Sequence, residues 1–167
     1  MNLHTLFEYS ARYRARLRDS LQSVPPDAFT REYTAIGHGS LRETLLHCVG
    51  VEDEWVTVDA QKREMDWDQY LPERYPTPNS IFEKWDEVRQ RTLDFVAALG
   101  PVGLEEKVEI TDGVVSRGWF SIEDILIHVL LHEIGHRGDV TTLMSAIGVP
   151  VPGFDHISLL RWQRNGG

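Results

Sequence analysis

Four long stretches of this sequence repeat apolar residues at the spacing of an amphipathic α-helix, and this pattern constrains the fold more than any other feature. The first stretch runs from Leu3 to about Val24, and Pro25-Pro26 is expected to end its helix. The second opens with a capping signature, Ser40-Leu-Arg-Glu43, and should continue to about Lys62. Such helices bury their apolar faces against one another, which predicts a helical bundle.

Two further stretches complete the pattern. The third is expected to begin with Asn79 as its cap and to stop at Gly100-Pro101, after a long loop over residues 65–78. The fourth opens with Ser121-Ile-Glu-Asp124 and should run to about Ile147, and residues 155–162 allow one short helix. Between the third and fourth stretches, residues 107–120 flank Asp112-Gly113 with apolar residues, which predicts a short β-hairpin. We therefore expect one all-α domain, residues 1–167, forming an antiparallel four-helix bundle with a hairpin inserted before the last long helix.

Charge and composition exclude several kinds of partner. The formal net charge of −9 argues against a nucleic-acid binder, which needs a basic surface. No apolar run approaches the roughly 18 residues of a membrane span, and the N-terminal segment lacks the apolar block of a signal peptide. We expect a soluble, cytoplasmic protein. Cys48, the only cysteine, excludes a thiolate-rich zinc site and is expected to be a small buried residue.

Histidines supply the best clue to chemistry. His128, His132 and His136 are four residues apart on the fourth predicted helix, so their side chains follow one stripe. His47 lies in an apolar part of the second helix. Two imidazoles at i and i+4 with a third from another helix predict a divalent-metal site, and we expect His132, His136 and His47 to be its ligands. His128 could replace His136, although a place in the pocket wall or a supporting role is preferred.

The alternative to a metal site is a set of hydrogen-bonded core histidines. His4, His38 and His156 lie near the chain ends or in loops and are expected to be exposed. The sequence His132-Glu133-Ile-Gly-His136 also matches the H-E-x-x-H signature of zinc metalloproteases, in which the glutamate is the general base. The extended protease signature is absent, because Asp139 and Thr142 stand where its glycine and third histidine belong. A di-iron site is weaker still, since Glu43 and His47 are one residue too far apart for a second E-x-x-H element.

The fourth helix carries a family resemblance. Its segment from His128 to Asp139, HVLLHEIGHRGD, resembles the H-x-x-x-H-R-G-Q signature of the DinB/YfiT-like superfamily. The segment from His47 to Trp55 is similar to that family's histidine followed two turns later by an acidic-aromatic pair, and Gly148-Val-Pro150 resembles its C-terminal pattern. The likeness spans essentially the whole chain, with one departure: Asp139 stands at the position of the usual glutamine.

The resemblance implies an up-down-down-up four-helix bundle, often homodimeric, with a triad of histidines that binds a divalent metal. Carried over, the ligands are His47, His132 and His136. Characterised relatives include bacillithiol S-transferases and a mycothiol-dependent maleylpyruvate isomerase. This implies a small-molecule substrate and a low-molecular-weight thiol as cosubstrate, with Zn²⁺ or Ni²⁺ as the metal and Fe²⁺ or Mn²⁺ as further candidates. The alternatives are a non-enzymatic stress protein that binds metal or ligand, and a hydrolase of the H-E-x-x-H type.

Four neighbouring residues have two interpretations each. Glu133 either faces the cavity and relays a proton or lies on the helix surface. Arg137 is expected to form an ion pair with an acid on an adjoining helix, the weaker alternative being an anion-binding role for a carboxylated thiol. Trp55 and Glu54 lie near the face of His47, where packing in the core and a place in the pocket wall are the two interpretations.

Overall fold

The computed structural model describes residues 2–34, 38–112 and 114–165, and four long helices dominate it. Two shorter helices, a π-helical segment, two 3₁₀ turns and a two-stranded sheet connect and extend them. In chain order the elements are α1 (Leu3–Leu21), α2 (Pro26–Thr30), α3 (Leu41–Asp53), the π-helical segment (Glu54–Ala60), the 3₁₀ turns (Trp67–Tyr70 and Pro72–Arg74), α4 (Pro78–Leu104), β1 (Lys107–Asp112), β2 (Val115–Ser121), α5 (Ile122–Ala146) and α6 (His156–Arg164).

Contacts between the long helices give their directions. Successive residues of α1 meet earlier residues of α4 but later residues of α5. Successive residues of the second long helix, from α3 into the π-helical segment, meet earlier residues of α5. Between α1 and α4 the pairs are Ser10–Arg89 and Arg14–Asp86. Between α1 and α5 they are Ser10–Glu133 and Tyr13–Arg137. Between the second long helix and α5 they are His47–His132 and Trp55–His128. Helices α1 and α5 therefore run one way and α3 and α4 the other. The bundle with a hairpin before its last long helix is confirmed, in the up-down-down-up order.

Helix ends agree with the sequence at some positions and differ at others. Ser121 and Asp124 form a reciprocal capping box at the start of α5, as predicted. The third long helix is capped by Thr77 rather than Asn79, because Pro78 occupies its first position, where a missing N–H costs nothing. Gly100, with φ of 63°, breaks this helix, and a further turn continues to Leu104. Pro26 opens the unpredicted helix α2 instead of simply ending α1.

The second long helix changes its geometry before it ends. It is α-helical to Asp53 and π-helical over Glu54–Ala60, where the Gln61 N–H donates to the carbonyl of Val56 at 3.1 Å, five residues back. A wider turn of this kind leaves no mark in the apolar spacing, so the sequence predicted an uninterrupted helix.

The predicted hairpin is present as an antiparallel pair of strands, β1 and β2. The pairing runs from Lys107 opposite Ser121 to Asp112 opposite Val115, with an irregularity after Ile110. Gly113 of the expected turn lies outside the described residues. The hairpin leads directly into α5 and packs over the π-helical segment, which places it beside the second and fourth long helices.

Apolar side chains form two clusters inside the bundle. The larger is centred on Trp85, Phe82 and Phe29, and the smaller packs Ile110 and Leu126 beneath the hairpin. Cys48 is buried, as expected. Among the described residues, no helix is long and apolar enough to cross a membrane.

A buried ion-pair network joins all four long helices. The Arg89 guanidinium from α4 donates to Glu52 of α3 at 2.6 and 2.9 Å, to Glu133 of α5 at 3.0 Å and to Ser10 of α1 at 3.1 Å. Arg89 is 5% exposed, Glu52 1% and Glu133 3%, so each charge depends on its partners for the solvation that it has lost. Arg137 donates to the other oxygen of Glu133, which balances two carboxylates with two guanidinium groups.

Replacing the central cation tests this network. Arg89→Ala leaves Glu52 buried without a cation, and we expect the free energy of unfolding to fall by about 3–5 kcal/mol. Urea denaturation followed by circular dichroism measures the loss. The matched control is Arg31→Ala, which removes an exposed ion pair with Asp27 and should cost less than about 1 kcal/mol. Equal losses in the two variants would contradict the role of Arg89.

Candidate metal centre

Three imidazoles from two helices converge on one point. The Nε2 atom of His132 lies 3.1 Å from Nε2 of His47 and 3.2 Å from Nε2 of His136. The structure thus brings together the three histidines that the sequence singled out as ligands. All three residues are half-buried.

Helix geometry explains the convergence. His132 and His136 are one turn apart on α5 and therefore lie on the same face, with their rings 4.5 Å apart between centroids. Because α3 runs antiparallel to α5 against this face, His47 meets both rings, at 4.9 and 5.0 Å between centroids. His47 needs no histidine neighbour on its own helix to complete the cluster, since α5 supplies the other two imidazoles.

Asp139 orients one of the three rings. Its carboxylate lies 2.9 Å from Nδ1 of His136. A carboxylate only accepts hydrogen bonds, so Nδ1 must carry the proton of a neutral imidazole, and Nε2 then presents a lone pair to the cluster. Carboxylates commonly hold metal-binding histidines in this way. Asp139 stands where the resemblance leads one to expect a glutamine, and its carboxylate still provides an acceptor oxygen for the Nδ1–H of His136.

Burial keeps His47 and His132 uncharged at neutral pH. Desolvation, followed by repulsion from His38 and the two other rings, lowers the pKa of His47 to about 4. Desolvation and then the neighbouring His136 likewise lower the pKa of His132 to about 4. Neutral imidazoles are the form that binds a cation, so at these two rings protons do not compete with a metal near pH 7.

A fourth imidazole, from His38, joins the cluster. Its ring stacks on that of His47 with centroids 3.8 Å apart and meets the ring of His136 edge-on at 4.9 Å. His38, His47 and His136 each offer a ring nitrogen within 4.8 Å of the other two, a second set that could hold a metal ion. The expectation that His38 is exposed is therefore wrong. It lies in the loop before α3, where no helical spacing marks it, whereas His4 and His156 are exposed as expected.

The two histidine sets overlap in His47 and His136 and differ in spacing. Two nitrogens that each lie about 2.0–2.1 Å from one tetrahedral Zn²⁺ are about 3.3–3.4 Å apart. The Nε2 separations of 3.1 and 3.2 Å around His132 match that value, whereas the set with His38 is defined only by the wider limit of 4.8 Å. The geometry therefore favours the set of His47, His132 and His136, with His38 beside it.

His128 and Trp55 lie next to the cluster rather than in it. The ring of His128 is 6.3 Å from that of His132 between centroids and packs on the Trp55 ring at 4.5 Å. Both residues line a cavity of about 400 Å³. Glu54 lines a smaller cavity of about 250 Å³ that also reaches His47. The three residues stand in cavity walls, one of the two positions that the sequence allowed for them.

Glu133 and Arg137 face away from the imidazoles. A single residue step turns a helix by about 100°, so the carboxylate next to His132 points into the bundle, where Ser10 and Arg89 hold it. Burial alone would raise the pKa of Glu133, but Arg137, Arg89 and Arg14 lower it to about 2. The carboxylate lies neither in the cavity nor on the surface, contrary to both expectations, and it offers no base to the histidine cluster.

The partner of Arg137 also differs from the one expected. Its acid is Glu133 on the same helix, four residues earlier, and not a residue of an adjoining helix. The guanidinium lies over the rings of Tyr9 and Tyr13, at 5.0 and 4.1 Å from their centroids. An arginine held in this way supports the bundle and has no geometry for binding an anionic substrate at the imidazoles.

Comparison with known proteins places these features in a family. The model of the DinB family matches residues 1–167, the whole chain. A crystal structure of a DinB-like protein from Bacillus cereus superposes with a TM-score of 0.67 at 15% sequence identity, covering 90% of this chain and 95% of that one. At this identity the likeness shows a shared fold. No curated protein matches the chain.

The lowered imidazole pKa values predict how the metal-free protein responds to acid. His47 and His132 titrate near pH 4 when folded and near 6.5 when unfolded, so the unfolded chain binds more protons between these values. Their contribution to stability is complete above about pH 6.5 and declines as the pH falls towards 4. Urea denaturation at several pH values in this window measures the decline.

The control is the double variant His47→Gln/His132→Gln, which should show a shallower pH dependence. Glu133 does not interfere, because its lowered pKa affects stability only below about pH 4.5. An unchanged slope in the double variant would contradict the assignment.

Proposed function

Because the chain belongs to the DinB family, we propose that its imidazole cluster holds one divalent metal ion and that the protein is a metal-dependent enzyme, a low-molecular-weight-thiol S-transferase. The observation that carries the proposal is the spacing of the three Nε2 atoms, 3.1 and 3.2 Å around His132. The proposed ligands are His47, His132 and His136, and Zn²⁺ or Ni²⁺ suits a set of neutral nitrogens best.

The donor set fits such an ion for a chemical reason. Three neutral imidazoles that meet at Nε2 have too few protons to satisfy one another, since each ring has one N–H and that of His136 is used by Asp139. Lone pairs are therefore left facing one another, and a shared cation would relieve this. Three nitrogen ligands would leave positions for a small molecule, the arrangement found in catalytic sites.

A bound divalent ion would supply Lewis acidity, which lowers the pKa of a thiol that binds to it. The chain supplies the rest. The ligands give no negative charge, so the site favours an anionic thiolate, and Asp139 keeps the ring of His136 in place. In the proposed reaction with a chloro-nitroaromatic acceptor, a carbon–sulfur bond forms as the carbon–chlorine bond breaks. Chloride leaves with its electron pair, and the proton of the thiol passes to solvent.

One observation favours a second candidate, a non-enzymatic protein that binds metal. His38 stacks on His47 and offers a ring nitrogen to the cluster, so a small movement of its loop would provide a fourth ligand. A site closed by four protein ligands is structural rather than catalytic. A hydrolase of the H-E-x-x-H type has weaker support, because Glu133 is bound by two arginines inside the bundle.

Metal content tests the ligand assignment. We expect untagged protein to contain about one divalent ion per chain, and His47→Ala and His132→Ala to lose it, because each removes one of three ligands. Elemental analysis by mass spectrometry measures the ratio. The matched control is His156→Ala, which removes an exposed histidine and should keep the metal. Stoichiometric metal in both ligand variants would refute the site.

The effect of His38 on coordination separates the two candidates. X-ray absorption of the zinc-loaded protein is expected to give three imidazole ligands for an enzyme and four for a closed site. His38→Ala should leave the spectrum unchanged in the first case and remove one nitrogen ligand in the second.

Conjugation tests the activity. Metal-loaded protein incubated with bacillithiol, mycothiol or glutathione and a chloro-nitroaromatic should release chloride and form the thioether with at least one thiol. His132→Ala should abolish the reaction, whereas His156→Ala should retain it. Absence of conjugate with every thiol would favour the non-enzymatic candidate. A homodimer and a cytoplasmic location stay predictions from the sequence.

A further inference from the structure

A cavity of about 400 Å³ lies one helical turn from the imidazole cluster. The hairpin, the π-helical segment and the first turns of α5 enclose it. Its walls are mostly apolar and aromatic, formed by Trp55, Ile110, Phe120 and Ile125. A volume of this size with such walls is typical of sites for small organic ligands.

His128 connects this cavity to the proposed metal site. Its ring lines the cavity, packs on Trp55 at 4.5 Å and stands 6.3 Å from the ring of His132, both measured between centroids. A molecule in the cavity would therefore lie beside the imidazoles without needing to displace any of them. This position suits the acceptor of a group-transfer reaction at the imidazoles.

The rim of the cavity is acidic. A smaller cavity of about 230 Å³ adjoins it, sharing Trp55, Ile110 and Arg117, and adds three carboxylates, those of Glu54, Asp59 and Asp112. Among the residues that the structure describes, Arg117 is the one arginine or lysine lining either cavity, and it donates to Asp112 at 2.6 Å. An anionic ligand would meet a net negative rim there, because the three carboxylates outnumber Arg117, which already pairs with Asp112, and Lys62, whose charge acts on Asp59.

We propose that the larger cavity binds the aromatic ring of the electrophilic substrate and that the acidic rim excludes carboxylated rings in favour of neutral or cationic ones. The ring would lie between Trp55 and Phe120, which offer flat faces for stacking. The identification of the bound ring as part of a substrate rests on the proposed function. The binding of a ring in the cavity requires no metal.

Binding of three matched probes tests the inference. Benzyl alcohol, benzylamine and benzoate share one ring and differ in charge, and titration calorimetry measures their affinity for metal-free and zinc-loaded protein. We expect benzyl alcohol and benzylamine to bind and benzoate to bind at least about tenfold more weakly, a difference of about 1.4 kcal/mol. Benzoate binding as tightly as benzyl alcohol, or no binding of any probe, would overturn the proposal.

Neighbouring residues of the hairpin provide a matched pair of variants. Phe120 lines the cavity, whereas Trp119 alternates to the other face of β2 and is 64% exposed. Phe120→Ala should weaken benzyl alcohol binding about tenfold, through lost ring contacts, and Trp119→Ala should leave it unchanged. Equal weakening by both variants would place the ligand elsewhere. Both residues are partly exposed on the hairpin, so neither substitution removes a core side chain.

A charge variant tests the rim separately. Asp59→Asn removes one carboxylate and should narrow the difference in affinity between benzoate and benzyl alcohol. An unaltered preference would overturn the role of the rim.

Failure of the proposed function can be distinguished from failure of this inference. A chain that binds benzyl alcohol but no metal would refute the proposed function alone. A chain that holds metal and forms conjugates but binds no probe would refute only this inference.

Discussion

The ion pair between Arg89 and its two carboxylates is the constraint on which the rest of the structure depends. A guanidinium that is 5% exposed has lost most of its hydration and is stable only where Glu52 and Glu133 surround it. These carboxylates come from α3 and α5, the two helices that carry the imidazoles. Glu133 follows His132 directly, so the network fixes the rotation and height of α5 at the residue beside the proposed ligand. The network stabilises the bundle and also aligns the site.

The elements that sequence analysis predicted well are those defined by local physics. Ser121 and Asp124 cap α5 because a hydroxyl and a carboxylate three residues apart satisfy free N–H groups at any helix start. The stripe of His132 and His136 follows from helix periodicity alone. His47 was expected as the third member because it lies in an apolar part of another helix, and the family resemblance implied the same three residues.

Sequence analysis missed three features, and two of them, the direction of Glu133 and the position of His38, depend on contacts between distant segments. The direction of Glu133 was left open because helix periodicity gives the angle between neighbours but not which face meets which helix. His38 reaches the cluster from a loop, and loop positions have no periodicity to mark them. The π-helical turn over Glu54–Ala60 depends on backbone bonds that any of these side chains permits. The positions of Glu133 and His38 therefore follow from tertiary packing, whereas the π-helical turn is a local change of backbone geometry that the apolar pattern does not record.

The π-helical segment has a consequence for how proteins of this design diversify. A turn closed by bonds to the fifth residue contains one residue more than an ordinary turn, so losing or gaining a single amino acid there rotates the following positions by about 100°. His47 lies upstream of the segment and would not move. A change of length at this one point of the chain could therefore reshape the pocket wall while His47 kept its position in the imidazole cluster.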